Sequence, residues 1–393
     1  MKIALTNEVT NMNQSSLSKR VDMNMEILHH CVSKILNVRV NCVKSWKFDP
    51  IVCKSLNFTT EGVYRIHGIA DILGKEIPWA LVVKIIKPGQ VEMNDPWYHN
   101  YWKREALVNQ SDILVNLPNV INTSKCYNVE EKTDGSVWIW MEEIIEDSIE
   151  IWSENDYAFV ARQLGIFNGA YVTDHTLPEH TWICRNWLES WISGCKKYAS
   201  DPNIYYPQIQ FGLNIENIWD SYTCLNNNIN NHLQALSKLP RVLAHQDLSR
   251  QNMFINTYQG AVKVWTIIDW QFLSISGLGE DLGKLYGVAM SQGNIESDQG
   301  DYYQKLLFKN YIEGLKDAGW NGDITLPRYG FCASVALRSA WEVPKLIKLA
   351  ASSQIDLNVI ENLTRIVSIQ MDLGVEADSL MRDVNLSEQE FIK

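Results

Sequence analysis

Nowhere in this sequence does an apolar run approach the roughly 18 residues that a membrane-crossing helix needs. The opening stretch, MKIALTNEVTNMNQSS, turns polar after five residues, too early for a secretory signal. Paired cysteines are missing as well. Cys31, Cys42, Cys53, Cys126, Cys184, Cys195, Cys224 and Cys332 are scattered, with no C-x-x-C and no histidines at zinc spacing. They read as free thiols of a reducing compartment, so a soluble cytoplasmic protein is expected. Positive charge is in deficit, with 35 Lys and Arg against 46 Asp and Glu and a net charge of −11. That argues against a nucleic-acid duplex or a membrane surface as primary partner. No internal repeat is present and no obligate protein partner is expected. What remains is ordinary globular composition, 46% hydrophobic and 21% charged, in a chain of 393 residues.

The most informative stretch runs from Val242 to Gly283, VLAHQDLSRQNMFINTYQGAVKVWTIIDWQFLSISGLGEDLG. His245, Asp247 and Asn252 spell H-x-D-x-x-x-x-N on a loop, and an apolar strand, Val264 to Ile268, delivers Asp269. Between them a β-hairpin is predicted: Met253 to Asn256, a turn at Tyr258-Gln259-Gly260, and Val262 to Ile268. Moving a γ-phosphoryl group to a hydroxyl needs a carboxylate to orient the nucleophile and take its proton, and oxygen ligands for magnesium. Asp247 suits the first task. Magnesium keeps most of its water and takes one or two carboxylates, so Asp269 with the amide oxygen of Asn252 suffices. The competing explanation is that these are turn residues, since Asp and Asn bond their own backbone; four positions in order before a strand with an acidic end rarely arise that way. His245 reads as a buried brace of the loop rather than a proton shuttle, because Asp247 already has that task.

These residues resemble the catalytic and metal-binding loops of protein-kinase-like small-molecule kinases, the aminoglycoside phosphotransferase and choline kinase superfamily. There a D-W or similar pair replaces the D-F-G of protein kinases. Asp281, in Gly-Glu-Asp-Leu, matches a family aspartate and is expected to anchor the catalytic loop. Gln246 stands where the family more often has glycine. The resemblance implies an α+β, two-lobed protein-kinase-like fold: an N-terminal tail and helix at 1–37, a nucleotide-binding lobe with an antiparallel sheet at 38–143, and a mainly helical catalytic and acceptor-binding lobe at 144–393. The implied cofactors are ATP or GTP and Mg2+, and the implied partner is a small acceptor, with antibiotic resistance or amino-alcohol metabolism as possible settings. A non-catalytic nucleotide-binding scaffold and a nucleotidyltransferase on the same fold are the alternatives.

Along the rest of the chain, an amphipathic helix is predicted from Arg20 through Ile35. Strands follow at Val40 to Phe48, Gly62 to Ile72 and Trp79 to Ile86. Lys84 interrupts the last of these, and a lysine inside a buried strand needs a partner. In kinases such a lysine holds the phosphates and a helix glutamate, which makes Glu105, in the predicted helix NYWKREALVNQ, its mate. A strand-end lysine reaching solvent is the other reading, with Lys87 then meeting the phosphates. The glycine-rich loop of protein kinases is absent; Ser55 to Gly62 takes its place, and only Gly62 is assigned to it. Ser136 to Ile145 is read as the strand entering the hinge, with the backbone from Glu142 to Ile144 meeting the adenine edge. The acidic run that follows, with Glu143, Glu146 and Asp147, is either a solvated face or, with Glu280, a receiver for a cationic acceptor. Ser153 and Asp156 are expected to cap a helix whose face carries Tyr157, Val160, Leu164, Phe167 and Tyr171. Further helices are expected at Ile215 to Leu239, Asp301 to Leu315, Tyr329 to Ala350 and Val359 to Met381.

Overall fold

The computed structural model describes residues 23–52, 58–146, 151–209, 215–258, 262–352 and 356–390, the last eight without their side chains. Val21, Ser55 to Asn57, Asp147, Gln259 and Gly260 lie outside these residues.

The N-terminal lobe is one antiparallel sheet in the order β1 (Cys42–Pro50), β2 (Thr60–Ile72), β3 (Lys75–Ile86), β6 (Val137–Met141), β5 (Cys126–Glu131). Helix α1 (Met25–Ile35) starts at Asn24, whose side chain accepts the N–H groups of Glu26 and Ile27, and buries Leu28, Cys31 and Val32 against the sheet. The period of two along β3 sorts its side chains. Leu81, Val83 and Ile85 join Ile66 and Trp140 in the lobe's main core, while Ile86 packs with Trp102, Ala106 and Ile139 on the opposite face. Lys84 has the same parity as Ile86, so it points at the face covered by α2 (Arg104–Gln110). The sheet has the five strands expected, although β6 ends at Met141 and residues 142–146 form an irregular connection.

The C-terminal lobe is helical around two short pieces of sheet. Helix α3 (Glu154–Thr173) begins in the anticipated capping box of Ser153 and Asp156 and buries Tyr157, Val160, Leu164, Phe167 and Tyr171. Then come α4 (Trp187–Tyr198), α5 (Ile215–Asn227) and α6 (Ile229–Lys238). One helix was expected where α5 and α6 stand. It breaks at Asn228, at the end of three consecutive asparagines, whose side chains compete for backbone hydrogen bonds and favour non-helical geometry. Strand β7 (Arg241–Ala244) pairs antiparallel with β10 (Ser274–Gly277), and β8 (Met253–Tyr258) with β9 (Val262–Ile267). β9 also takes β4 (Asn122–Thr123) as a parallel neighbour. The remainder is α7 (Glu280–Ser291), α8 (Gly300–Asp317), α9 (Thr325–Leu337), α10 (Ser339–Ala350) and α11 (Leu357–Glu390). The single helix anticipated from Tyr329 to Ala350 is divided at Arg338, where the hydrogen bonds tighten to three-residue steps (Arg338 to Val335, Trp341 to Arg338); Pro344 sits within the second part and lacks an N–H. No described helix is long and apolar enough to cross a membrane.

Candidate active site

Buried β7 carries the chain into the loop from His245 to Asn252, and the loop is held from below by α7. The Asp281 carboxylate accepts the backbone N–H of His245 at 2.8 Å and of Gln246 at 2.9 Å. Gln246 adopts a left-handed φ of +61°, which is why glycine is favoured at such a position. Its Nε2 donates to Ser276 Oγ at 2.7 Å, an anchor that glycine could not supply. His245 Nδ1 accepts the Asp247 N–H at 3.2 Å, which assigns the ring proton to Nε2, and Nε2 donates to the Ile268 carbonyl at 3.0 Å. Burial holds this imidazole down to about 4, so it is a neutral brace joining the loop to the end of β9. Asn252 closes the loop: Nδ2 donates to both the carbonyl and Oδ2 of Asp247, each at 3.0 Å.

Asp269 follows β9 in a left-handed conformation, φ +66°. Lys84 Nζ lies 2.8 Å from Asp269 Oδ1 and 2.6 Å from Glu105 Oε2, so one ammonium joins β3, α2 and the end of β9. Burial works against the charge on Lys84, but Asp269 and Glu105 outweigh it and hold the lysine above its ordinary value. Burial pushes Glu105 up to about 7. Asp247 is also raised by burial, opposed chiefly by Lys284.

Two cations that sequence reasoning overlooked complete the geometry. Arg104 is fully buried and, among the described residues, has no carboxylate partner. Its Nη1 donates to His99 O at 2.7 Å and Gln271 O at 3.3 Å, its Nη2 to Pro96 O at 2.8 Å and Tyr98 O at 2.7 Å, and its Nε to Trp182 O at 3.2 Å. The residue beside Glu105 thus bolts α2 to the segment just after Asp269. Lys284, on α7, places Nζ 3.8 Å from Asp247 Oδ1 and 5.1 Å from the Trp187 ring centre. A lysine three residues after Asp281 in an otherwise buried helix was the available signal.

The other sequence candidates fall elsewhere. Gly62 lies in β2 opposite Ile85, where an added Cβ would strike the Tyr64 ring. Glu142 pairs with Lys125 through its backbone N–H, and Ile144 lies in the irregular connection. Glu143 is bound by Arg65 at 2.6 Å and Glu146 by Arg250 at 2.8 Å. Glu280 accepts the Gly277 N–H at 2.6 Å, and burial raises it to about 7. Each of these three carboxylates is therefore already engaged by the fold.

Among the described residues no cluster of three His, Cys, Asp or Glu side chains could hold a metal ion. The pair Asn252 and Asp269 nevertheless fits magnesium. With Nδ2 of Asn252 turned to Asp247, its Oδ1 faces the other way, and Asp269 gives only Oδ1 to Lys84. Both remaining atoms are the hard oxygen donors magnesium prefers.

A family model, DUF1679, described as "Uncharacterized oxidoreductase dhs-27", matches residues 210–320. That stretch contains Gly277-Leu278-Gly279 and Gly283 between a strand and a helix, one residue wider than the G-x-G-x-x-G spacing of dinucleotide-binding turns. Here the glycines are filled against α9. A Cβ on Gly279 would lie 2.2 Å from Pro327 O, one on Gly283 2.9 Å from Phe331 O, and the Gly277 N–H already belongs to Glu280. No protein of curated function matches. Among solved structures, the microcompartment-associated aminopropanol kinase is 10% identical, with 90% of this chain and 97% of that one covered and a TM-score of 0.51. An amicoumacin kinase, hAmiN, in complex with AMP-PNP, Ca2+ and Ami is 12% identical over 91% and 96%, TM-score 0.49. The choline kinase LicA from Streptococcus pneumoniae is 13% identical over 88% and 98%, TM-score 0.43. At these identities the likeness speaks for architecture alone, and the first structure carries it: an antiparallel sheet lobe followed by a helical lobe, the fold of the protein-kinase-like small-molecule kinases.

Proposed function

We propose that the protein is a kinase that transfers the γ-phosphoryl group of ATP or GTP to a hydroxyl of a small molecule. The observation supporting this most directly is the Lys84 ammonium held between Glu105 and Asp269, with the Asp247 and Asn252 pair alongside, the N–H of Ile268, next to Asp269, donating to the Asn252 carbonyl at 3.0 Å. In this reading Lys84 grips the nucleotide phosphates, Glu105 positions Lys84, and the backbone from Glu142 to Ile144 borders the base. Asn252 and Asp269 hold Mg2+, which when bound neutralises phosphate charge. Asp247 orients the acceptor hydroxyl. The acceptor's hydroxyl oxygen bonds to the γ-phosphorus as the bond from that phosphorus to the β-phosphate oxygen breaks, the nucleoside diphosphate leaves, and the hydroxyl proton passes to Asp247. Burial, which raises the affinity of Asp247 for a proton, favours that last step.

The acidic run suggested a cationic acceptor, such as an aminoglycoside-like antibiotic or an amino alcohol. With Glu143, Glu146 and Glu280 engaged by the fold, those three groups lend a cationic acceptor no support, and the reading commits only to a hydroxyl as the accepting group. Incubation with Mg2+ and ATP or GTP across a library of hydroxyl compounds, read by mass spectrometry, tests the reading. A gain of about 80 Da supports it, whereas about 329 Da would show transfer of AMP. Binding of nucleotide without any modified product would leave a scaffold.

A further inference from the structure

The cation beside Asp247 has no counterpart in the roles assigned so far. Lys284 is only 8% exposed, yet among the described residues its ammonium donates no hydrogen bond; its nearest charged partner is Asp247 Oδ1 at 3.8 Å. A buried ammonium without hydrogen bonds is costly unless it has work at that place. Its position is fixed on two sides. Trp187 of α4 offers a ring face to Nζ, and α7 is buried along nearly its whole length, so the stem has little freedom.

Asp281 and Lys284 stand three residues apart and share one face of α7. Asp281 takes the N–H groups at the start of the catalytic loop, and Lys284 faces the carboxylate two residues further on. A single helical turn thus grips both the backbone and the functional side chain of the loop. Asp247 is met from both sides, Oδ2 by Asn252 Nδ2 and Oδ1 by Lys284 Nζ. With only the Asn252 contact, the carboxylate could rotate about its χ2 bond, a broad torsion for aspartate. A charge on the other oxygen removes that freedom.

We propose that Lys284 is a positioning residue of the transfer reaction, an ammonium that fixes the plane of the Asp247 carboxylate so that Oδ1, the oxygen not hydrogen-bonded by Asn252, meets the acceptor hydroxyl. The inference rests on the kinase reading above. It makes turnover depend on the charge of Lys284. The charged or titratable groups around that amine are Asp247 from the loop, Asp281 on its own helix, Arg338 and Glu342 from the α9–α10 corner, and, kept neutral by burial, His99, His245 and Cys195. Burial leads this set and brings Lys284 down to about 8.

The test uses the full chain with Mg2+ and ATP, following ADP formation with water as acceptor, so no acceptor need be known. Lys284→Gln and Lys284→Met, the latter keeping the packing on Trp187, are expected to lower kcat by about 10- to 100-fold, the range a misplaced catalytic group costs. KM for ATP should stay within about threefold, since the nucleotide side is untouched. Lys284→Arg should recover most of the rate. In the wild type kcat should fall as pH rises through about 8; in Lys284→Arg that fall should move beyond the accessible range, and in Lys284→Gln it should vanish. An unchanged kcat in Lys284→Gln, an alkaline limb that survives there, or an equal loss in Gln, Met and Arg variants accompanied by an equal fall in melting temperature would each overturn the proposal. Turnover that requires Asp247 but not Lys284 refutes this inference alone. Turnover that is indifferent to Asp247→Asn defeats the kinase reading and this inference with it.

Discussion

Removing Arg104 should damage the molecule more than removing any surface charge. Three of its bonds, to His99 O, Tyr98 O and Pro96 O, are 2.7, 2.7 and 2.8 Å long, and two, to Trp182 O and Gln271 O, are 3.2 and 3.3 Å. At the lower end of the range for bonds from a charged donor, about 1.5 kcal/mol each, the three short ones alone contribute roughly 4 to 5 kcal/mol. Substitution also returns the cost of burying a guanidinium, which burial already registers by lowering Arg104 to about 10. A net loss of about 3 kcal/mol is therefore expected for Arg104→Met. Arg104→Lys should fare no better, since a point charge with three donors cannot meet five carbonyls arranged around a planar fork. Urea denaturation followed by tryptophan fluorescence measures the loss, and hydrogen exchange across 104–110 should rise with it. Because Gln271 lies two residues beyond Asp269, the same variants should cut kcat about tenfold through slackened alignment of Glu105, Lys84 and Asp269. A stability change below about 1 kcal/mol would refute the idea that this arginine holds α2 to the second lobe.

Asp247→Ala should abolish turnover while nucleotide affinity, measured by calorimetry with Mg2+ and a non-hydrolysable analogue, stays within a few fold; loss of both would point to a misassigned site. Asp281→Ala strands two buried N–H groups, at about 1 to 3 kcal/mol each, so its urea midpoint should drop by the equivalent of about 2 to 6 kcal/mol, and a smaller drop for Asp281→Asn should follow from its one retained acceptor oxygen. Glu280 has a folded value raised to about 7 from 4.5, so its contribution to stability is complete below about 4.5 and is lost as pH climbs through about 7. Glu280→Gln should consequently lose less stability than the wild type between pH 5 and about 8.5, by about 1 to 3 kcal/mol; identical losses in urea titrations at the two pH values would contradict this.

The residues that meet in the candidate site were legible because their spacing is local. Asp247, Asn252 and Asp269 lie on one loop and one hairpin, and Lys84 announced itself as a charge inside an apolar strand. The sheet was legible for the same reason, through alternation and branched residues. Arg104 and Lys284 were not. Their partners are carbonyls and a ring brought from distant segments, and neither leaves a periodic trace. Helix breaks at Asn228 and Arg338 escaped because the apolar three-four step continues across both, so the pattern of burial persists while the backbone does not. The acidic run after β6 misled in a different way: composition showed the negative groups, but not that Arg65 and Arg250 meet them.

The two tryptophans of α4 each already have a cation of this chain beside them. Trp187 already faces Lys284, and Trp191 has Arg338 at 5.8 Å. An alkylammonium brought to either indole would therefore meet a like charge already on the ring, so neither tryptophan is free to serve as an aromatic seat for an outside cation.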